Sequence, residues 1–261
     1  MTTPGGASDL SAPVLRKRRT SLSVMIRSLA FLALVLATLI VVAPFTVLLV
    51  LPRRMCLAVV GRILQFWLWA LKVLTGLTYE VRGRENLPQG PCLIASKHQS
   101  AFETIALQVI LDDPAIVLKR ELTFIPVAGW TMWRLDHIRI NRSAGAAALM
   151  NLLRDAKKRI GDGRSVVIFP EGTRYPPGRP GAFRSSAAAL ASGAGVPIVP
   201  VVHDTGRFWA AHGFAIRPGC VTVRIGPPLP PAEMTGLSAK EITTRLRRET
   251  ESMLAEMDEF V

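Results

Sequence analysis

Apolar residues fall in two patterns along this chain of 261 residues. Near the amino terminus they form long runs, and beyond residue 78 they come in short bursts. The first run, "LAFLALVLATLIVVAPFTVLLVL" at residues 29–51, carries no charge. At about 1.5 Å per helical residue it reaches roughly 34 Å, enough to cross a hydrocarbon core of about 30 Å. A cleaved signal peptide fits less well, because the run is too long and Pro52-Arg53-Arg54 is a poor cleavage site. Pro44 predicts a kink.

The second segment, residues 55–77, is amphipathic. Val60, Leu64, Trp67, Leu71 and Leu74 repeat on one stripe of a 3.6-residue helix, with Arg62, Gln65 and Lys72 on the other side. Placing the two cations in a bilayer interior costs about 2.5 to 3.5 kcal/mol each. A helix lying in the membrane interface or packed on the domain avoids that cost. A core helix of a soluble domain is the alternative reading.

From residue 78 the runs "TYEVRG", "PCLIAS", "AIVLK", "HIRI", "SVVIFP", "PIVPVV" and "VTVRIG" predict strands. Helices are expected at residues 100–111, 144–160, 184–194 and 238–259. This alternation predicts an α/β fold, a mixed or mostly parallel sheet flanked by helices, with an N-terminal membrane-anchoring helical segment. The expected divisions are a basic, disordered arm (1–27), a membrane-associated helical hairpin (28–77) and a catalytic domain (78–261). Sites in open α/β sheets lie beyond the carboxyl ends of strands. His98, Asn141-Arg142 and Glu171-Gly172-Thr173-Arg174 all follow predicted strands.

Charge narrows the class of partner. The net charge is +13, and residues 1–72 hold nine basic residues against one acid, Asp9. These cations flank apolar runs, which suits a membrane surface better than a nucleic-acid groove. They lie on both sides of the first run, so the positive-inside rule gives no clean orientation; a hairpin dipping into one leaflet satisfies both flanks. Cys56, Cys92 and Cys220 are odd in number and scattered, with no zinc spacing or disulfide framework.

Candidate chemistry starts at "KHQSAFE". Ser100 and Glu103 have the spacing of a capping box, worth on the order of 1 kcal/mol to the following helix. His98 reads either as a general base steered by Glu103 or as a bystander at a helix start. "FPEGTR" can present backbone N–H groups and the Arg174 guanidinium to an anion, or form an ordinary turn with an exposed ion pair. Arg142 in "INR" reads equally as a solvated residue. His203, Asp204 and His212 read as surface-loop residues, His137 as structural, and Arg245, Arg247 and Arg248 as a solvated helix face.

In order and spacing, "KHQSAFE", "INR", "FPEGTR" and "VPIVPV" resemble the four blocks of the glycerolipid acyltransferases, most closely the bacterial 1-acylglycerol-3-phosphate acyltransferases. "VRGRENLP" and "KRELTFIPVAGW" extend the likeness over most of residues 78–225. The resemblance implies that His98 is the base that takes a proton from the lysolipid hydroxyl, with Glu103 where aspartate is usual. It implies that Arg142, Glu171, Gly172, Thr173 and Arg174 bind the glycerophosphate head, with Lys119 a further phosphate contact. Residues 196–201 match the block linked to the acyl donor or to packing. Asn141 and Tyr175 also depart from the usual pattern, which bears on the choice of lysolipid.

The implied reaction moves an acyl chain from acyl-CoA or acyl carrier protein to the sn-2 hydroxyl of 1-acyl-sn-glycerol-3-phosphate, forming phosphatidic acid. An imidazole titrating near pH ~6.5 suits the base, and such help is worth about 10²- to 10⁴-fold. No metal or other cofactor is expected. The expected place is the inner face of a bacterial inner membrane, with the catalytic domain in the cytoplasm. Another lysolipid, such as a lyso-ornithine lipid or a lysophospholipid, could be the acceptor. A lipid hydrolase is disfavoured by the lack of a GxSxG elbow, and a non-catalytic membrane-surface binder is a third class.

Overall fold

A computed structural model describes residues 20–43, 52–141, 145–178 and 181–259. Its centre is a seven-stranded sheet, and every run read as a strand lies in it. The strands are β1 (Leu77–Arg82), β2 (Leu93–Ser96), β3 (Ala115–Lys119), β4 (Ile138–Ile140), β5 (Val166–Ile168), β6 (Ile198–His203) and β7 (Gly219–Ile225). Their order is β1-β7-β6-β2-β5-β3-β4. Neighbours are parallel except β6 and β7, which pair antiparallel, so β1 and β7 run against the other five. The sheet is mixed, as the alternation of elements predicts.

The helices are α1 (Leu22–Val42), α2 (Arg53–Thr75), α3 (Phe102–Ile110), α4 (Ala128–Arg134), α5 (Gly145–Gly161), α6 (Ser186–Ala194), α7 (Thr205–Phe208), α8 (Pro231–Met234) and α9 (Ala239–Glu259). Successive strand residues point to opposite faces, which gives two cores. Ile94, Val167, Val199 and Val201 pack with Phe102 and Leu107 of α3 and with Leu68 and Leu71 of α2. Leu93, Val166, Ile168 and Ile198 pack with Leu152 of α5, Leu190 of α6 and Ile242 and Leu246 of α9. The four helices expected within the α/β region are present. The short α4, α7 and α8 carried no periodic signal and went unanticipated.

The first helix starts before the expected run. Ser21 caps it by accepting the Val24 amide at 3.3 Å, so α1 begins at Leu22, ahead of the expected division at residue 28. Pro44 and its expected kink lie outside the described residues, as do residues 1–19 of the basic arm. Helix α1 is docked on the α/β body rather than standing apart. Phe31 is 1% exposed and packs edge-on against Trp209 with ring centroids 6.0 Å apart. Ser28 Oγ accepts the Ile216 amide at 2.8 Å.

In α2 the stripe faces inward as its period requires, with Leu64 and Leu71 buried and Arg62, Gln65 and Lys72 exposed. The outer face is not purely polar. Val59, Phe66, Trp69 and Val73 are also exposed there. Helices α1 and α2 are each long and apolar enough to cross a membrane.

Candidate active site

Strands β6, β2 and β5 are parallel neighbours, so their carboxyl ends open onto one place. The segments leaving them carry His98, Glu171 and Thr205. Residues about a hundred apart in sequence meet there because β2 pairs with both flanking strands.

His98 Nδ1 lies 2.8 Å from Glu103 Oε1. The same oxygen accepts the Gln99 amide at 2.9 Å and the Ser100 amide at 2.8 Å. An oxygen taking two amide hydrogens acts as an acceptor, so the ring donates from Nδ1 and leaves Nε2 as its basic nitrogen. The Phe169 ring stacks on the imidazole with centroids 4.2 Å apart. Glu103 is buried, whereas the His98 side chain is 16% exposed and so reachable. Burial pushes the Glu103 carboxyl up, but the His98 hydrogen bond, the charges of His203 and His98, and the Ser100 amide outweigh it and hold the group below its ordinary value.

The capping box is present with a shift. The helix is assigned from Phe102 with Ala101 as its N-cap. Ser100 Oγ nevertheless accepts the Phe102 amide at 3.2 Å while Glu103 accepts the Ser100 amide, so the reciprocal pair closes one residue early. Glu103 therefore caps the helix and orients His98 with one oxygen.

The "FPEGTR" loop divides its residues between scaffold and opening. Glu171 is sealed: it pairs with buried Lys97, and its two oxygens accept the amides of His98 at 3.1 Å and Gly181 at 3.3 Å. Expected as a head-group contact, Glu171 is instead enclosed by protein and fixes the backbone that carries His98. Gly172 has φ +70°, which a side chain rarely adopts, and an added Cβ there would lie 3.0 Å from Arg184 Nε. Thr173 is exposed. Arg174 is half-buried, and its Nε is shut from solvent with no hydrogen-bond partner. The Tyr175 amide donates to the His98 carbonyl at 2.9 Å, tying this loop to the histidine loop.

Lys119 ends β3, two strands from β2, exposed and 3.7 Å from Glu121. Arg142 lies outside the described residues, next to Asn141 at the end of β4. Among the described residues no group of three or more His, Cys, Asp or Glu is placed to hold a metal ion.

His203 corrects the expectation of a surface loop, because it is the last residue of β6 and fully buried. Its Nε2 lies 2.9 Å from the Lys97 carbonyl and its Nδ1 3.0 Å from Thr205 Oγ1. Thr205 Oγ1 in turn donates to Glu103 Oε2 at 3.2 Å. Lys97, Phe169 and Thr205 also escaped sequence reading. The available signal was that His203 and Thr205 follow the run "PIVPVV", read as a strand, at the kind of place where sites of open α/β sheets lie. Asp204, beside them, accepts the Thr222 amide at 2.9 Å, and burial raises its carboxyl. His137, read as structural, is buried, and Arg245, Arg247 and Arg248 are exposed.

The acyltransferase family model matches residues 78–204. A 1-acyl-sn-glycerol-3-phosphate acyltransferase of Pseudomonas aeruginosa is 44% identical over 163 residues, covering 62% of this chain and 63% of that protein, just under two thirds of its length. The human 1-acyl-sn-glycerol-3-phosphate acyltransferase alpha is 31% identical over 189 residues, covering 71% of this chain and 67% of that one. The crystal structure of the 1-acyl-sn-glycerophosphate (LPA) acyltransferase PlsC from Thermotoga maritima superposes with a TM-score of 0.73 at 22% identity, over 90% of this chain and 95% of the other, a likeness of fold. With a histidine held by a buried carboxylate at the mouth of a mixed sheet, and relatives matched over this length, the chain belongs to the acyltransferase family.

Proposed function

We propose that the protein transfers an acyl chain from a cytoplasmic thioester, acyl-CoA or acyl carrier protein, to the sn-2 hydroxyl of 1-acyl-sn-glycerol-3-phosphate, making phosphatidic acid. The observation that carries this reading is the His98–Glu103 pair, with Nε2 left free of any partner among the described residues, in a loop tied through the Tyr175 amide to the segment that carries Arg174. The lysolipid oxygen attacks the thioester carbonyl carbon while its proton passes to His98 Nε2. Glu103 holds the ring and stabilises the imidazolium. Collapse of the tetrahedral intermediate breaks the C–S bond, and the departing thiolate takes the proton from His98. No acyl-enzyme forms.

The buried, unpartnered Nε of Arg174 supports an anionic head group, since a guanidinium nitrogen withheld from water is costly unless a ligand meets it. Lys119, Arg142 and Thr173 are proposed as further head-group contacts. Glu171 and Gly172 are proposed to shape the loop. Ser100 does not suit a hydrolase: it is fully buried and its Oγ is engaged at the start of α3.

The outward apolar residues of α1 and α2 support membrane association, with the active site meeting lysolipid at the inner face of the inner membrane. Phe124, Ile125, Trp130 and Trp133, all exposed in and around α4, add apolar surface. The decisive test is thioester release with 1-acylglycerol-3-phosphate, run beside a lysolipid lacking phosphate. Equal rates on both would overturn the head-group assignment.

A further inference from the structure

Resting on the reading of His98 as base, we propose that His203 is a buried imidazolium, linked through Thr205 to the far oxygen of Glu103, and that this positioning chain sets the pH at which the base works.

Hydrogen-bond accounting carries it. Glu103 Oε1 takes the His98 ring and two amides, and against the burial of the carboxyl these hydrogen bonds and the nearby charges hold it below its ordinary value, so Oε2 is left as an unprotonated oxygen that accepts. The Thr205 hydroxyl has one hydrogen, and it goes to Oε2 at 3.2 Å. His203 Nδ1, 3.0 Å from the same hydroxyl oxygen, must then donate to it. On the other side of the ring, the Lys97 carbonyl at 2.9 Å from Nε2 can only accept. Both ring nitrogens therefore carry hydrogen. A neutral ring would set two acceptors face to face in a fully buried place, where an unmet polar group costs about 1–3 kcal/mol.

Burial works against the charge and pushes His203 below its ordinary value, while Glu103, the Lys97 carbonyl and Asp204 pull the other way and His98 adds to the lowering. The demand made by the single Thr205 hydrogen is additional to these. From α3 the group facing His203 is Glu103. From the β2 loop it is Lys97, neutralised by Glu171 of the β5 loop. Asp204 and Arg207 at α7 and Glu251 of α9 line a cavity of about 260 Å³ shared with His203 and Lys97. From β7 the residue opposite is the uncharged Val223.

The consequence is catalytic. A carboxylate alone behind an imidazole favours the imidazolium, which cannot accept a proton from an alcohol. A cation one hydroxyl away offsets that carboxylate and lets the outer histidine work as a base at neutral pH.

The test uses the full-length protein in lipid nanodiscs. With His203→Gln and Thr205→Val, the acid limb of kcat/KM should move up by about one pH unit; Thr205→Ser should restore the wild-type limb. A limb that stays in place in both variants overturns the proposal. Because either variant could fail to fold, nitrogen-15 spectra of histidine-labelled wild type give a second readout, with four histidines to resolve. Both His203 ring nitrogens should be protonated at neutral pH, and one bare nitrogen overturns the proposal. This readout needs no turnover, so a failure of the acyltransferase reading would appear separately, as absent thioester consumption.

Discussion

Lys97 and Glu171 form an ion pair shut away from water, with side chains 4% and 0% exposed, directly beneath the backbone of His98. A buried pair adds little net stability, but removing one partner strands a charge, at a cost of about 3–5 kcal/mol. Glu171→Gln should lower the urea midpoint accordingly, and adding Lys97→Met should recover part of the loss. Unchanged unfolding in the single variant would mean the pair is hydrated.

His98→Ala should abolish thioester turnover while leaving the fold intact. Glu103→Gln keeps an oxygen for the amides but loses the ionised acceptor for the ring, so kcat should fall about 10²- to 10⁴-fold. Steady-state kinetics beside a circular dichroism spectrum separate this from unfolding.

Arg174→Ala should raise KM for 1-acylglycerol-3-phosphate more than it lowers kcat. A lysine at the same position should restore little, because the buried Nε belongs to a planar guanidinium. Equal KM values in wild type and Arg174→Ala would remove this residue from head-group binding.

His137 makes the fold acid-sensitive. Burial, then the Arg164 guanidinium, lowers it from 6.5 to about 4, and its Nδ1 accepts the Ile116 amide at 3.2 Å. In this window the unfolded chain binds a proton that the folded chain refuses, so stability is full above pH 6.5 and falls as the pH drops toward about 4. The loss is on the order of 3 kcal/mol. Urea midpoints at neutral and acid pH should converge in His137→Gln relative to wild type.

Phe31→Ala should loosen α1 from the α/β body, since a buried aromatic removed to alanine costs about 3–5 kcal/mol. Limited proteolysis should then cut near the end of α1 in the variant and spare the wild type.

The strands and the long helices were legible because burial on a sheet or a helix face imposes a local period, and α2 presents the same stripe in sequence and in space. His98 with Glu103 was legible for the same reason, because five residues cross a single loop and helix start. Glu171 was placed after the correct strand but with the wrong neighbour. Nothing in "FPEGTR" tells whether the carboxylate turns outward to a ligand or inward to Lys97.

Local order alone therefore settled the alternation of elements and the apolar N-terminal helices, and it put His98 within reach of Glu103 while leaving their pairing to the structure. The sealing of Lys97 with Glu171 and the linking of His203 through Thr205 to Glu103 came from strand order. Which strand lies beside β2 is a matter of packing over long separations, and no periodicity within a segment records it.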